Sequence, residues 1–483
     1  MSVNPKRTPC YSVNLEQVKK NYDLFSSAIK AWQRDDLIAY SVKANYNQAI
    51  IQTLNDLNSY FEVCSEYEYA MLTSYGIQES KIIVNGCFFN DFKKYERCHL
   101  MILDSENQFC EWVKTGCKQS IGIRVNLDYF TGREGDDRFN NKTSRFGMDF
   151  RSSEIANLLK KANKEKITAL HCHLAGNNRK ESIYGDIVEQ LQKVAHDHNL
   201  NKVKWLDVGG GFKIARDSSD YDGYVRAVNN ICEKDKKVIY EPGNALVRTC
   251  ADYWTKVIDI KKTGNRTFAI VDGSSLQLPK IQNNTKEYEI KSCEEAGEMQ
   301  HVSFFCGNTC KESDVLLNKV ENCDVKKGDF LILKNVGAYG MNEINKLILG
   351  SPHVCFSDDT KIMLGDYSFE RICKCKKCIV QNGRNDYSII NKKASGRGLY
   401  AFVKQDVILY IGVAVERDMS ARIKQHLRKN DSGGLSQKLN KKQFAEVEES
   451  DIYVCKLSME KQDLLFAESF LIGTYKPKFN YLG

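Results

Sequence analysis

The sequence predicts a multidomain protein, in which a (β/α)8 barrel is followed by an antiparallel β domain and then by a small α/β domain. Three observations lead to this prediction. The chain has 483 residues, which is too long for a single hydrophobic core. Short apolar runs alternate with amphipathic helical stretches as far as residue 247, and beyond it strand-like runs are joined by turns. A polar, glycine-containing stretch then precedes a compact basic tail.

The barrel is predicted for residues 14–247. Apolar runs such as 37–40 and 167–170 alternate with helical stretches such as 152–163 and 184–198, in which apolar residues recur every three or four positions. Strands that are buried on both faces form continuous apolar runs, and helices between them indicate parallel pairing. At this length a closed (β/α)8 barrel is the natural arrangement.

Three further segments follow the barrel. Residues 248–380 contain strand-like runs without long helices between them, so they are predicted to form an antiparallel β domain. Residues 381–395 are polar and contain glycine, and they are predicted to be a linker. Residues 396–483 are predicted to form an α/β domain with a hairpin, a basic helix at 421–430 and a helix at 461–474.

Composition excludes several classes of protein. Hydrophobic residues make up 42% of the chain and charged residues 27%, which excludes a largely disordered protein. The sequence has no apolar run of about 18 residues, and no apolar segment follows the basic residues at the N-terminus. We therefore expect a cytoplasmic protein without a membrane span, whose 18 cysteines are reduced thiols.

The net charge of +8 is concentrated in the tail. Residues 391–483 hold 16 basic and 11 acidic residues, and so carry five of the eight net positive charges. A basic excess of this size permits a nucleic-acid partner without requiring one.

Catalytic residues of (β/α)8 barrels lie at the carboxyl ends of the strands. Lys43 follows the apolar run at 37–40, so its amine would enter the barrel mouth and could form an imine with the aldehyde of pyridoxal phosphate (PLP). Three glycines at 209–211 could bring backbone N–H groups close to a phosphate. Glu241 could pair with a protonated ring nitrogen, and His173 could stack on the ring. Each residue alone has an ordinary explanation: a solvated lysine, a flexible loop or a structural histidine.

Six short motifs occur in order between residues 8 and 380. They are Ser-Val-Lys43-Ala-Asn, His-Cys-His173-Leu, Asp-Val-Gly-Gly-Gly211-Phe, Glu241-Pro-Gly, Cys306-Gly-Asn-Thr-Cys310 and Gly-Ala-Tyr339-Gly. Together they resemble the fold type III PLP-dependent decarboxylases, the family of the diaminopimelate and ornithine enzymes. The resemblance implies a PLP barrel, a β domain formed by residues 1–13 together with 248–380, and a homodimer with shared active sites. The implied reaction is the decarboxylation of an amino acid such as diaminopimelate, ornithine or lysine.

The resemblance also implies roles for individual residues. Lys43 would form the Schiff base, His173 would stack on the ring, and Cys310, contributed by a second subunit, would donate a proton. Further cofactor contacts are implied for Glu62, Gly209, Gly210, Gly211, Glu241, Gly243, Asn244 and Tyr339. Substrate contacts are implied for Lys311, Glu312 and Asp314.

Two departures from the family pattern concern the phosphate. Ala175 and Gly176 replace a glycine–serine pair whose hydroxyl contacts the phosphate, and Asn244 replaces an arginine that pairs with it. Loss of a charge-assisted contact should weaken PLP binding by about 1.5–3 kcal/mol. Arg145 and Arg248 are candidates to compensate.

A third departure concerns the substrate. Lys311 stands where the family commonly has an acidic residue that binds a distal ammonium group. Because two cations repel each other, we expect the far end of the substrate to be anionic or neutral. The neighbouring Glu312 keeps a basic substrate open as the alternative.

The tail contains five landmarks in order: Gly398-Leu-Tyr400, Tyr410-Ile-Gly412, Arg422 with His426 one helical turn later, Glu468, and Asn480. Tyrosines on adjacent strands are more often simple cross-strand packing. The whole set, however, resembles the GIY-YIG nuclease domains over residues 396–483, and implies cleavage of DNA with Mg²⁺.

By this second resemblance Tyr400 would be the general base, supported by Tyr410 and His426, while Arg422 would stabilise the phosphate. Glu468 would bind Mg²⁺ and Asn480 would support the site. Contacts to the DNA backbone are expected from Lys424, Arg428, Lys429, Lys441 and Lys442, although a solvated helix face explains these charges equally well.

Several alternatives remain open from the sequence. Cys355, Cys373, Cys375 and Cys378 could bind zinc, but their spacing is unusual and reduced thiols are favoured. The leading hypothesis is a bifunctional decarboxylase and nuclease. A tail that only binds nucleic acid or a protein partner is the second hypothesis, and a PLP-binding protein without decarboxylase activity is the third.

Overall fold

A computed structural model describes residues 7–89, 91–116, 119–127, 144–174, 180–215, 217, 219–278, 287–343, 351–357, 360–379, 386–405, 407–428 and 434–480. A first strand, β1 (Cys10–Val13), precedes a closed barrel of eight parallel strands, which confirms the barrel prediction. The barrel strands are β2 (Leu37–Ser41), β3 (Tyr60–Val63), β4 (Ile82–Asn85), β5 (Leu100–Leu103), β6 (Ile121–Arg124), β7 (Ile167–His171), β8 (Trp205–Asp207) and β9 (Lys237–Tyr240). They pair in chain order, and β9 closes the ring on β2 through the pair Leu37–Ile239.

Helices surround the barrel. They are α1 (Leu15–Ala31), α2 (Gln48–Asp56), α3 (Glu66–Ser74), α4 (Glu106–Thr115), α5 (Ser153–Lys161), α6 (Ser182–Asp197), α7 (Ser219–Asn229) and α8 (Asn244–Val247). Their boundaries follow from local chemistry, because Ser65 and Ser105 accept hydrogen bonds from the first turns of α3 and α4 as N-caps. The predicted helices at 152–163 and 184–198 correspond to α5 and α6.

The second domain consists of a mixed β sheet and a separate two-stranded sheet, in which Gln300–His301 pairs with Asp324–Val325. Its strands are β10 (Ala251–Thr263), β11 (Arg266–Val271), β12 (Tyr288–Lys291), β13 (Gln300–His301), β14 (Phe304–Cys306), β15 (Val315–Asn318), β16 (Asp324–Val325), β17 (Phe330–Leu333), β18 (His353–Phe356), β19 (Lys361–Leu364) and β20 (Tyr367–Lys374). Strand β1 lies in the mixed sheet between β10 and β18.

The prediction of an antiparallel β domain was wrong in two places. Strand β1 pairs with β18 in parallel, and β11 pairs with β14 in parallel. No hairpin turn joins β1 to its neighbours in the sheet, because the whole barrel intervenes before β10. Its direction is therefore not set by a tight turn, and turn signals in the sequence do not report it.

The tail continues the same sheet. Helix α9 (Cys375–Ile379) follows β20 and still lies within residues 248–380. The elements of the tail are α10 (Ser388–Lys393), β21 (Gly398–Lys404), β22 (Val407–Ala414), α11 (Met419–Leu427), α12 (Leu435–Lys438), α13 (Lys441–Glu448), β23 (Asp451–Lys456) and α14 (Lys461–Tyr475). Strand β20 of the β domain pairs with β23, which pairs in turn with β21. Helix α10 lies within the expected linker, and its Ile390 is fully buried.

The tail also packs against the barrel. One hydrophobic core contains barrel residues such as Leu54 together with Cys455 and Leu464 of the tail. The Ser458 N–H donates to the Ser74 carbonyl at 2.8 Å, and Sγ of Cys455 donates to Oε1 of Gln48 at 3.4 Å. Buried apolar contacts and paired backbone groups make the tail part of the folded body.

Helices and cysteines of the described ranges bear on two further predictions. No described helix combines the length and apolar character needed to cross a membrane. The described cysteines are all free thiols. Cys355 lies beside Cys10, with 3.7 Å between the sulfur atoms, whereas Cys375 lies 3.4 Å from the hydroxyl of Ser450. The described residues therefore do not assemble the four-thiolate zinc site considered above.

Candidate active sites

Lys43 lies on a single turn of 3-10 helix directly after β2. The β domain holds this turn from outside: the Tyr339 N–H donates to the Ala44 carbonyl at 2.6 Å, and Nδ2 of Asn342 donates to the Lys43 carbonyl at 3.1 Å. Tyr339 has a left-handed backbone φ of 64°, which residues other than glycine rarely adopt. The Gly-Ala-Tyr339-Gly motif thus fixes the backbone of the lysine turn.

The amine of Lys43 is paired with a buried carboxylate. Its Nζ lies 2.9 Å from Oε2 of Glu62, whose side chain is 1% exposed and also accepts a 2.6 Å hydrogen bond from Ser41. Removal of water from the amine lowers the pKa of Lys43, but Glu62 and Glu241 more than offset this and raise it above its ordinary value. The resemblance implied a cofactor contact for Glu62, and the structure places its carboxylate beside the Lys43 amine.

The floor of the barrel mouth is formed by three buried groups. Ligand atoms of His171, Asp207 and Glu241 lie within 4.8 Å of one another. Burial raises the pKa of both Asp207 and Glu241, reinforced for Asp207 by the neighbouring carboxyl group and opposed for Glu241 by Lys43. Burial and the charge of Arg124 lower the pKa of His171 well below its ordinary value, so this imidazole is neutral.

Four polar residues in or beside this floor were not predicted as site residues. They are Asn85, Arg124, His171 and Asp207, and each ends a barrel strand. Their position after an apolar run was the signal that could have found them, because strand ends form the mouth of a barrel. His173, which was predicted to stack on the cofactor ring, lies two residues after His171 and is half-buried. Its Nδ1 accepts a 3.0 Å hydrogen bond from the Gly210 N–H.

The glycine loop has less freedom to bind phosphate than the sequence suggested. The Gly209 N–H donates to Oδ1 of Asp207 at 2.9 Å, and the Gly210 N–H is taken by His173. A Cβ atom on Gly210 would lie 2.5 Å from the Glu241 carbonyl, so close packing requires this glycine. Within the described residues, only the N–H of Gly211 among the three is left for a phosphate.

Other predicted cofactor contacts lie around this loop. Gly243 packs against Ala44, where a Cβ would approach to 3.0 Å, and Asn244 begins helix α8. Arg248 is exposed at the end of α8. The Ala175–Gly176 pair lies outside the described residues.

The predicted substrate residues separate into two groups. Cys310, Lys311 and Glu312 are exposed on the loop after β14. Asp314 is 3% exposed, and its carboxylate accepts hydrogen bonds from Ser274 and Thr309, at 2.9 and 2.6 Å. Asp314 thus anchors the loop, and the three exposed residues are available to a substrate or a second subunit.

The barrel mouth fits PLP. Oδ2 of Asp207 and Nδ1 of His171 are buried, yet no hydrogen-bond partner reaches them from the described residues. A buried group of acidic side chains with open acceptor positions suits a ligand with a protonated ring nitrogen, and the Lys43 amine beside it suits an aldehyde. Lys43, Glu241 and Gly211 would hold the cofactor.

The predicted landmarks of the tail converge on Tyr400, which is fully buried on β21. Its hydroxyl oxygen lies 2.7 Å from Nε2 of His426. Nδ1 of His426 accepts from the Leu435 N–H at 3.2 Å, so the neutral ring carries its proton on Nε2 and donates it to Tyr400. Burial, with help from Arg422, lowers the pKa of His426 to about 3.

The remaining landmarks surround this pair. A Cβ atom on Gly412 would lie 2.4 Å from the Tyr400 hydroxyl, which explains why the second tripeptide ends in glycine. Burial and the neighbouring Tyr410 raise the pKa of Tyr400 well above its ordinary value, while Arg422 opposes the shift. Burial also raises the pKa of Glu468, and a hydrogen bond from the Val413 N–H opposes this.

Asn480 supports the second strand of the hairpin. It accepts from the Ile411 N–H at 2.9 Å and donates to the Ile411 carbonyl at 2.7 Å, next to Tyr410. The expected basic helix at 421–430 corresponds to α11. Of the expected DNA contacts, Lys424 and Arg428 lie at its end, Lys441 and Lys442 begin α13, and Lys429 lies outside the described residues.

Comparisons with known proteins agree with the barrel chemistry. Residues 15–248 match the family model described as the pyridoxal binding domain of pyridoxal-dependent decarboxylases. Diaminopimelate decarboxylase of Aquifex aeolicus is 25% identical over 351 residues, covering 69% of this chain and 82% of that protein. The Vibrio cholerae enzyme of the same name is 25% identical over 355 residues, with 70% and 84% coverage.

A solved structure shares the fold. The crystal structure of diaminopimelate decarboxylase from Helicobacter pylori, complexed with L-lysine, superimposes with a TM-score of 0.62 at 21% identity, covering 73% of this chain and 92% of that chain. The barrel and the mixed sheet are thus those of fold type III. The chain is similar over most of its length to PLP-dependent amino-acid decarboxylases.

Proposed function

We propose that the barrel and β domain catalyse the PLP-dependent decarboxylation of an amino acid of the diaminopimelate type. The observation that carries this proposal is the pairing of Lys43 with the buried Glu62, close to the acidic floor of Asp207 and Glu241. Similarity to diaminopimelate decarboxylases supports the same reaction.

PLP, when bound, supplies an electron sink for the bond to the departing carboxyl group. Glu241 would bind the ring nitrogen and keep its proton in place, while Lys43 would bind the aldehyde. Glu62 would hold the Lys43 nitrogen in place and stabilise positive charge on it, since it raises the pKa of that amine.

Cys310 would complete the reaction from a second copy of the chain. Its exposed thiol would donate, from Sγ, the proton that replaces the lost carboxyl group. Its exposure within one chain supports a site shared in a homodimer, because a proton donor must reach the reacting carbon.

The distal end of the substrate would be read by Lys311 and Glu312. Diaminopimelate carries both a carboxylate and an ammonium at its far end, so a lysine and a glutamate side by side match both charges. In this proposal Lys311 pairs with the distal carboxylate, the anionic group that it led us to expect, and Glu312 pairs with the distal ammonium.

CO2 release from meso-diaminopimelate, L-lysine, L-ornithine and L-glutamate tests the assignment. We expect the highest kcat/KM for diaminopimelate, and we expect Lys311→Glu to shift the preference about tenfold towards lysine and ornithine. Faster turnover of lysine than of diaminopimelate by the unaltered protein would contradict the substrate assignment. No CO2 from any amino acid in the presence of PLP would contradict the reaction.

We infer a second activity for the tail, Mg²⁺-dependent cleavage of a phosphodiester. The hydrogen bond between Tyr400 and His426, with Arg422 and Glu468 close enough to shift the pKa of Tyr400, favours it over cross-strand packing alone. Mg²⁺ would supply a Lewis acid for the leaving oxygen, and Glu468 would bind it.

Tyr400 would act as a phenolate whose own proton has first left to solvent. The phenolate would accept the proton of the attacking water, and the hydrogen bond from Nε2 of His426 would stabilise it. Because burial raises the pKa of Tyr400, this role requires the positive charge of Arg422, and cleavage should accelerate as the pH rises. Plasmid nicking with Mg²⁺ tests the activity, and Glu468→Ala should abolish it. Nicking that persists in Glu468→Ala would overturn the assigned metal role.

A further inference from the structure

A cleft lies where the tail, the β domain and the barrel meet. Its volume is about 670 Å³. Helix α2 and Tyr75 of the barrel form one wall, strands β19 and β20 form the second, and residues 392–397 and 454–458 of the tail form the third. We call it the basic cleft, since among the described residues its walls carry Lys361, Lys392, Lys393, Arg397 and Lys456.

The positive charges of the basic cleft are poorly balanced. Asp56 and Glu370 are the carboxylates on its described walls. The ion pair of Glu370 with Lys393 is long, at 3.8 Å, and Lys456 approaches only the hydroxyl of Ser395, at 3.5 Å. Like charges gathered in a concave surface repel one another and focus a positive potential, which an anionic ligand relieves.

The cleft lies next to the Tyr400 site. Arg397 precedes Tyr400 by three residues along an extended segment, a separation of about 10 Å. The carbonyl of Gly396, also in the cleft, accepts a hydrogen bond from the Met419 N–H at the start of α11, the helix that carries Arg422. A ligand that fills the basic cleft is therefore led to the edge of the proposed cleavage site.

We propose that the basic cleft binds the sugar–phosphate backbone of a single-stranded nucleic acid and directs it to Tyr400. A strand offers one phosphate per nucleotide, so successive phosphates can meet successive cations, and a positively charged groove is how single strands are bound without sequence preference. Because the cleft is recessed between three walls, an intact duplex would contact only its rim. The proposal rests on the second activity proposed above.

The basic cleft needs both parts of the chain. Lys361 belongs to the β domain, whereas Lys392, Lys393, Arg397 and Lys456 belong to the tail. The sheet pairing of β20 with β23 holds these two groups of cations at a fixed separation. The decarboxylase body would thereby contribute to recognition of the nucleic acid, which gives the fusion of the two parts a physical consequence.

The test measures binding of a fluorescein-labelled single-stranded DNA to the full-length protein by anisotropy, in EDTA so that cleavage plays no part. The cleft variant carries Lys392→Ala, Lys393→Ala, Arg397→Ala and Lys456→Ala. The matched control removes the same number of exposed lysines around helices on the far side of the barrel: Lys160→Ala, Lys193→Ala, Lys202→Ala and Lys234→Ala. A third variant keeps the cleft charges through Lys392→Arg, Lys393→Arg, Arg397→Lys and Lys456→Arg.

We expect the cleft variant to bind at least about tenfold more weakly, with a slope of log affinity against log salt that is shallower by about 2–3. The control and the charge-keeping variant should stay within about twofold of the unaltered protein. Equal losses in the cleft variant and the control, unchanged binding by the cleft variant, or no binding by the unaltered protein would each overturn the proposal. So would displacement of the DNA by ATP at equal phosphate concentration, which would indicate a mononucleotide site.

The same proteins in Mg²⁺ separate this proposal from the proposed nuclease. DNA that is held by the cleft but not cleaved would leave the cleft standing and overturn the nuclease. Cleavage that is the same in the cleft variant as in the unaltered protein would overturn the cleft and leave the nuclease standing.

Discussion

The barrel mouth and the Tyr400 site solve opposite electrostatic problems. The barrel mouth brings a cation, Lys43, close to the carboxyl groups of Glu62 and Glu241, which raise the pKa of Lys43, while burial raises the pKa of Asp207 and Glu241. The Tyr400 site buries neutral partners, a tyrosine and an uncharged histidine, and leaves its positive charge nearby at Arg422. The first arrangement suits a charged cofactor held inside the protein, and the second suits a polyanion that arrives from outside.

The largest expected effect is that of Lys43→Ala, which should abolish decarboxylation at the barrel mouth and leave the Tyr400 site unaffected. Without the amine the protein cannot bind the aldehyde of PLP covalently, so CO2 release should fall at least about 1,000-fold. Plasmid nicking should not change. Lys193→Ala, an exposed lysine on α6, serves as the control, and loss of nicking in Lys43→Ala would show that the two sites are not independent.

Tyr400→Phe should have the opposite result, with loss of nicking and no loss of decarboxylation. It removes the hydroxyl that accepts from His426 and keeps the buried ring, so nicking should fall about 100-fold or more while decarboxylation stays constant. Both rates are measured on the same preparation. Retention of nicking would assign Tyr400 to packing, the ordinary role of a tyrosine on this sheet.

Acidification should destabilise the protein through His426 of the Tyr400 site. Burial holds the pKa of His426 in the folded protein at about 3, below the ordinary 6.5. Between these two pH values the unfolded chain binds a proton that the folded protein does not, so the free energy of unfolding decreases as the pH is lowered. The loss should reach about 2 kcal/mol between pH 7.5 and pH 5. Urea unfolding at both pH values measures it, and His426→Asn, which cannot titrate, should lack this part of the pH dependence.

The smallest expected effect concerns the contact between the two halves. Gln48→Ala removes the Oε1 atom at the start of α2 that accepts from Sγ of Cys455 in the tail and from the Ser368 N–H of β20. The loss should cost about 1 kcal/mol, since water in the cleft replaces part of these bonds. The tail should then be released faster by limited proteolysis. Gln192→Ala, a buried glutamine on α6, is the control and should leave that rate unchanged. Equal rates in both variants would mean that Gln48 does not hold the tail.

The sequence predicted features that depend on neighbouring residues better than features that depend on distant ones. The apolar run at 37–40 and the helix predicted at 184–198 correspond to β2 and α6. Both could be predicted because the spacing of apolar residues is a property of neighbouring positions in the sequence. The parallel pairing of β1 with β18 and the contact of Gln48 with Cys455 join residues hundreds of positions apart, and no local pattern reports them.

The same division applies to the site residues. Lys43 and Glu241 could be predicted because short motifs surround them. Asn85 and Arg124 end strands without such motifs, and only the closure of the barrel brings them to its floor. The hydrogen bond from the Gly210 N–H to His173 likewise joins the ends of two different barrel strands, β8 and β7, which only the closed barrel brings together.

The central claim is that the amine of Lys43 holds PLP. Borohydride reduction of the protein mixed with PLP, followed by peptide mapping, tests it most directly. The predicted result is one peptide that contains Lys43 and carries the mass of the reduced cofactor. Labelling of a different lysine, or of none while the protein remains folded, would contradict the account of the barrel.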